Sequence, residues 1–140
     1  MKQKLIKLPF EMTIKKANIL LNAIFKIMNI WDLPESTKQI LLGNPDKLTF
    51  IEYKTLKVLT IPPYDFFLRG SHILGIYKSL HTLNSDRSIA DTWINKPNEY
   101  FDGKSAHEYL KEGGFKRLEY VRKYLYWAQY GAGLPSPEKP

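Results

Sequence analysis

The sequence contains no cysteine. Disulfides, thiolate nucleophiles, cysteine-type zinc sites and iron–sulfur clusters are therefore excluded, and a reducing compartment fits that absence. Histidine is scarce, with only His72, His81 and His107. His72 and His81 lie nine positions apart, which at about 100° per residue puts them on opposite faces of one helix. His107 is followed by Glu108 but begins no His-Glu-x-x-His pattern, so no metal site is expected. The chain also lacks a Gly-x-Ser-x-Gly elbow, a phosphate-binding glycine loop and a Gly-x-Gly-x-x-Gly fingerprint. Carboxylates are scattered singly among lysines. With no nucleophile or general base to name, neither an enzymatic role nor a cofactor is expected. No apolar run approaches the roughly 20 residues of a membrane span. MKQKLIKLPF has lysines but no apolar core or cleavage site of a signal peptide. A cytoplasmic location without membrane contact is the expectation.

What the chain does have is length enough for one domain or two small lobes: 140 residues with a net charge of +7. The charge is uneven. Residues 1–60 hold ten lysines against five carboxylates, and residues 61–140 hold eleven basic residues against nine acidic ones. An N-terminal excess of positive charge attracts polyanions through counterion release. A solvated lysine-rich surface gives the same excess.

Hydrophobic periodicity points to helices throughout. Ala17, Leu20, Leu21, Ile24, Met28 and Trp31 recur at three- and four-residue spacing over residues 13–31, with Thr13 as cap and Asp32-Leu33-Pro34 as stop. A short helix over residues 35–42 ends at Gly43. A third helix is expected over residues 47–59, with Leu48, Ile51, Leu56 and Leu59 on its apolar face and Thr49, Tyr53, Lys54 and Lys57 more exposed. Ile61-Pro62-Pro63 breaks the chain. Residues 65–83 follow as a long helix, with Phe66, Ile73, Ile76, Tyr77, Leu80 and Leu83 as its stripe. Gly70 and Gly75 inside it each cost about 1 kcal/mol against alanine, which close approach by another helix would justify. Ser85 is expected to cap a helix to about residue 95, with Ile89, Trp93 and Ile94 inward. Ser105 and Glu108 spell a capping box, Gly113-Gly114 a stop, and residues 115–130 a last helix with Leu118, Val121, Leu125 and Ala128 on one stripe. The proline-rich end, LPSPEKP, is expected to be mobile. The fold class is all-α, with six or seven short helices.

Two surfaces stand out. Residues 35–59 read as a helix-turn-helix unit, whose second helix would bring Lys47, Thr49 and Phe50 to base edges and Lys54 and Lys57 to phosphates; Asp46 and Glu52 oppose it, and two merely packed helices share the pattern. Tyr120, Tyr124, Tyr126, Trp127 and Tyr130 crowd the last helix. Aromatics and arginine dominate binding hot spots, so a protein-binding surface is the functional alternative to a generous core.

ILGIYKSLHTL followed by ADTWINKPNEYFDGKSAHEYLKEGGFKRLEYVRKYL resembles the C-terminal domain of the Xre/MbcA/ParS antitoxin family. The matching residues are Ile76-Tyr77 with Leu80, Trp93-Ile94, Pro97-Asn98, Phe101 with Gly103, Ser105-Ala106, Leu110 with Gly113, and Val121-Arg122 with Tyr124-Leu125. IWDLPESTKQILLGNPDKLTFIEYK resembles the family's N-terminal helix-turn-helix through Trp31, Leu33, Leu41-Leu42-Gly43, Thr49-Phe50 and Lys54, with departures at Pro34 and Tyr53. The resemblance implies an antitoxin of a type II toxin–antitoxin system. Its partner would be a RES-domain toxin that consumes NAD+, held with its active-site entrance covered, in a hetero-oligomeric complex containing an antitoxin homodimer. It implies residues 1–61 as a DNA-binding or dimerisation region, residues 62–131 as the toxin-binding domain and residues 132–140 as a flexible tail, an entrance plug. Toxin contacts fall to Arg122, Lys123, Trp127 and Tyr130. Operator contacts, and autorepression of the operon, fall to Lys47, Thr49, Lys54 and Lys57. Trp93, Pro97, Phe101 and Gly103 are expected as scaffold. A stand-alone helix-turn-helix transcription regulator is the alternative.

Overall fold

The computed structural model describes residues 12–140; the MKQKLIKLPF segment, judged above for a leader, lies outside them. The described residues form an all-α protein, with seven α-helices and no strand: α1 (Ile14–Ile30), α2 (Glu35–Leu41), α3 (Lys47–Lys54), α4 (Tyr64–Leu83), α5 (Arg87–Thr92), α6 (Ala106–Lys111) and α7 (Phe115–Tyr130). Short 3-10 turns at Trp93–Asn95 and Glu99–Phe101 join α5 to α6. None of the described helices is long and apolar enough to cross a membrane.

α4 is the central element. It packs against α1 on one side and α7 on the other, and its two glycines fit that role. A Cβ at Gly70 would lie 2.6 Å from Leu20 Cδ2 of α1, and one at Gly75 would run into the Arg122 guanidinium of α7. The close approach that makes glycine tolerable is thus by side chains of both neighbours. One cluster of buried residues continues across the Ile61-Pro62-Pro63 break, from Ala17, Ile24 and Trp31 of the first half to Phe101, Leu118 and Val121 of the second. The break is a change of direction within one core.

Local signals set most helix ends. Thr13 accepts the Lys16 N–H at 3.0 Å and Asp46 accepts that of Thr49 at 2.8 Å, side-chain caps that hold about 1 kcal/mol each. Ser105 and Glu108 make the reciprocal capping box, at 3.0 and 3.3 Å. Gly113 and Gly114 take φ 92° and 98°, values that L side chains rarely adopt. They let α6 stop and α7 start at a sharp angle.

Three expectations need correction. α3 ends at Lys54, not near residue 59, and its buried residues are Phe50 and Tyr53. The expected face is outward: Leu48 is 79% exposed, Leu59 is 75% exposed, and Ile51 and Leu56 are exposed as well. Two rings bury more apolar surface than the leucines would, and Tyr53 reaches Phe66 of α4 at 5.2 Å between centroids. Two asparagines of α1 then hold the chain out of the helix. Asn22 donates to the Leu56 carbonyl at 3.0 Å, while Asn18 accepts the Val58 N–H at 2.7 Å and donates to its carbonyl. This lets Leu56 adopt φ 64° and turns Val58 into the core. Second, α5 is capped by Asp86, whose carboxylate accepts the Ser88 N–H, and not by Ser85; Ile89 faces solvent while Ala90 and Ile94 are buried. Third, Leu83 and Ala128 lie on exposed rims of their helices.

Candidate functional site

The turn-rich stretch between Trp93 and Gly114 builds the floor beneath α7. Asn98 organises it. Its side chain accepts the Tyr100 N–H at 2.9 Å, its carbonyl accepts the amides of Phe101 and Gly103, and its own N–H donates to the Lys104 carbonyl. Asp102 and Gly103 both take positive φ, 59° and 79°, so the chain reverses within a few residues and drives Phe101 inward. Phe101 is fully buried and meets four rings: Trp93, Tyr109, Tyr120 and Tyr124, with centroids 5.1–6.1 Å away. Each such pair contributes about 0.5–1.5 kcal/mol beyond its burial. The ring cluster continues outward through Tyr100 to Trp127. α7 also carries a separate solvent-facing pair, Tyr126 and Tyr130, with ring centres 4.9 Å apart and 63% and 61% exposed.

The four residues expected to touch a partner from α7 do not form one patch. Tyr130 is outward, with its hydroxyl accepting from Gln129 at 2.8 Å. Lys123 is outward too, paired with Glu119 at 3.4 Å. Trp127 is half-buried on the rim between Tyr100 and Tyr124, and its indole N–H donates to the Leu134 carbonyl at 2.9 Å. Gly131 sits against that indole, where a Cβ would collide with it. Arg122 turns away from solvent toward α4: its Nη1 donates to the Ser71 carbonyl and hydroxyl and to His72 Nδ1, at 3.3–3.4 Å. Tyr126, which sequence reasoning had not chosen, takes the outward place beside Tyr130. Helical spacing held the signal, since positions 119, 123, 126 and 130 share one face.

The C-terminal residues lie back along α7. Lys139 donates to Asp102 at 2.9 Å, an interaction that lowers the Asp102 carboxyl pKa and raises that of Lys139. Glu138 and Pro140 line a small hollow of about 140 Å³ with Lys116, Tyr120 and Lys123.

On the other side of the molecule, the expected nucleic-acid contacts are dispersed. Lys47 and Thr49 stand in the first turn of α3. Lys54, at the far end of that helix, bonds Glu35 of α2 at 3.1 Å and lies 5.4 Å from the Phe50 ring centre. Lys57 follows in the loop beyond α3. Between them the outward face carries Leu48 and Ile51.

The histidines have structural partners. His81 pairs with Asp91 at 2.7 Å. His107 bridges Thr37 at 2.9 Å and Asn95 at 3.0 Å, and Asn95 in turn donates to the Trp31 carbonyl at 2.9 Å. With the Asn95 amide spent on Trp31, its oxygen faces the imidazole, so Nδ1–H donates and Nε2 accepts from Thr37. The neutral ring suits this chain of bonds, and burial, followed by Lys111, holds the His107 pKa below its ordinary value of 6.5. The His72 pKa is lowered likewise, by burial first and Arg122 second. Among the described residues no group of three His, Asp or Glu side chains is arranged to hold a metal ion.

The described residues thus form an all-α protein with exposed aromatic and apolar side chains on α7 and α3. One relative, "Uncharacterized protein y4oB" of Sinorhizobium fredii (strain NBRC 101917 / NGR234), is 39% identical over 105 residues, covering 75% of this chain and 80% of that protein. The chain belongs to the family of that protein. No family model matches it, and no solved structure matches it significantly.

Proposed function

We propose that the protein is an interaction module, an antitoxin of the Xre/MbcA/ParS kind that neutralises a RES-domain, NAD+-consuming toxin by covering its active-site entrance. The observation that carries this proposal is the exposed Tyr126–Tyr130 pair on α7, the helix that also carries the half-buried rim residue Trp127. Tyrosines give large contact area at low conformational cost. Trp127, packed on Tyr100 and Tyr124, loses little further freedom on binding, which favours affinity. The partner-facing set is accordingly Lys123, Tyr126, Tyr130 and the rim of Trp127. Arg122 positions α7 on α4. The C-terminal tail is held by the exposed Lys139–Asp102 ion pair and by the Trp127 N–H on the Leu134 carbonyl.

Operator binding by α2 and α3 is the less supported half of the proposal, because apolar Leu48 and Ile51 occupy the face that would meet base edges. They suit the homodimer contact expected of the N-terminal region.

The test is coexpression with a RES-domain toxin from the adjacent reading frame, following complex formation by copurification and cellular NAD+ by enzymatic assay. A stable complex with preserved NAD+ is expected, weakened more than about tenfold by Tyr126→Ala with Tyr130→Ala. A double variant that still protects NAD+ as well as the parent chain removes α7 as the contact face. Failure of the parent chain to bind such a toxin overturns the proposal.

A further inference from the structure

The segment that follows α7 turns back and lies on that helix. Gly131 packs against the Trp127 indole, Gly133 takes φ 81°, and the Leu134 N–H donates to the Gly131 carbonyl at 2.8 Å. This tight turn reverses the chain. Pro135 and Pro137 then restrict their own backbones and those of Leu134 and Ser136 to extended conformations. A segment so restricted loses little further freedom on docking. The five steps from residue 134 to 139 cover about 16 Å at the polyproline rise, and the helix from Trp127 to Lys116 covers about 16 Å as well.

The segment meets α7 at Lys116, Tyr120, Lys123 and Trp127, positions that share one helix face. The Trp127 indole N–H donates to the Leu134 carbonyl at 2.9 Å. Glu138 shares a hollow with Lys116, Tyr120 and Lys123, and Lys139 donates to Asp102 at 2.9 Å. Charge is matched in order along the segment: a carboxylate enters beside two lysines, and the ammonium that follows it reaches a carboxylate. Lys123 is already paired with Glu119, which lines the same hollow, so Glu138 balances Lys116.

None of residues 132–140 is buried. The segment therefore adds nothing to the core, and its attachments are polar and exposed. Local opening is easiest where buried apolar contacts are few, and salt screens exposed charge pairs. The stripe beneath it adjoins the face of Lys123, Tyr126 and Tyr130, with Lys123 common to both.

We infer that residues 134–139 are a displaceable strap seated in a peptide-binding stripe of α7, and that the stripe, once the strap lifts, takes an extended, proline-containing segment of a partner protein in which a carboxylate precedes an ammonium. Docked, the strap masks Lys116, Tyr120 and the rim of Trp127; lifted, it joins them to the tyrosine surface. The inference does not depend on the partner being a RES-domain toxin.

The probe is the synthetic peptide GLPSPEKP, the sequence of residues 133–140, added to the isotopically labelled full chain and followed by NMR. Attachment gives the strap an effective concentration on the order of millimolar, so a strap that stays docked corresponds to a dissociation constant at or below that level for the free peptide. In the parent chain the stripe is occupied and the peptide should change little. Glu138→Lys with Lys139→Glu reverses the order of charge without altering the net charge, at two exposed positions whose folding circular dichroism checks. It should release the strap, shift the Trp127 indole N–H and speed its exchange by about tenfold or more. GLPSPEKP should then bind this variant at least about fivefold tighter than the parent, with shifts along residues 116–127, and tighter by a similar factor than the control GLPSPKEP. Asp102→Asn, which suits the left-handed turn at that position, should loosen the strap, and Lys139→Gln should add nothing to that effect. A Trp127 indole unmoved by the charge reversal, equal peptide binding by parent and variant, equal binding of the two peptides, or no binding at all overturns the inference. So does a concentration-dependent dimer that the charge reversal abolishes, which assigns the stripe to the tail of a second copy.

Discussion

The region around α6 and α7 and the region around α2 and α3 treat their apolar side chains in opposite ways. In the first, Phe101, Tyr109 and Tyr120 are buried in a ring cluster beside Leu125, Tyr100, Tyr124 and Trp127 are half-buried, and Tyr126 and Tyr130 are exposed. In the second, Phe50 and Tyr53 are buried while Leu48, Ile51 and Leu59 remain outside. Both regions leave large apolar groups exposed, but on different foundations. The tyrosines stand on α7, whose Tyr120 and Tyr124 pack on the buried Phe101; Leu48 and Ile51 stand on a two-turn helix whose exit is held by two asparagines of α1. A helix anchored through a buried ring cluster opens less readily than a short helix held by side-chain tethers.

That contrast predicts a graded series. Phe101→Ala removes the hub of the C-terminal cluster and should cost about 3–5 kcal/mol, read as a large fall in the urea midpoint. A loss below about 1 kcal/mol would show that the rings pack independently of it. Asn18→Ala leaves the buried amide and carbonyl of Val58 without their side-chain partner, for a cost of about 1–3 kcal/mol. It should also raise amide exchange at residues 56–58 selectively, leaving α7 protected; uniform exchange across the chain would refute a local tether.

A smaller effect concerns pH. His72 and His107 have folded-state pKa values below the ordinary 6.5, so the unfolded chain takes up protons first as pH falls. Their contribution is fully present above 6.5 and is lost as pH drops through that value toward the folded pKa values. Thermal unfolding should hold steady from about pH 8 to 7 and decline from about pH 6.5 to 5. His107→Gln, which keeps one polar partner at the site, should flatten part of that decline; an unchanged slope would show that the Thr37–His107–Asn95 chain of bonds does not sense the proton. The smallest effect is expected at the exposed face of α3. Leu48→Ser with Ile51→Ser should change stability by no more than about 0.5 kcal/mol per site, whereas a cost near that of Phe101→Ala would return those residues to the core.

Much of this fold was legible before any coordinates. Thr13, the Ser105–Glu108 box and the Gly113-Gly114 pair marked helix ends correctly, because capping acts within a few residues along the chain. The stripe of Leu118, Val121 and Leu125 gave α7 its register for the same reason. The error at α3 came from a segment whose two possible faces are both apolar: Leu48 and Ile51 on one, Phe50 and Tyr53 on the other. Periodicity does not choose between them; Phe66 of α4 and Asn18 and Asn22 of α1, distant in sequence, do. The candidate site divided the same way. The density of rings in α7 announced a surface, but Arg122 was lost from it to Ser71, His72 and the space over Gly75, and Tyr126 was gained.

By itself, then, the order of residues determined where most helices begin and end, though not the end of α3 or the cap of α5, that this chain forms no disulfide or thiolate, and that aromatic groups concentrate near its C-terminal end. Tertiary structure alone decided which face of α3 is buried, that Gly75 makes room for Arg122, and that α1 and α4 leave an apolar groove between them. The physical reason is range: caps and turns are satisfied by neighbours in the chain, whereas burial and charge pairing are settled by whichever helix packs alongside.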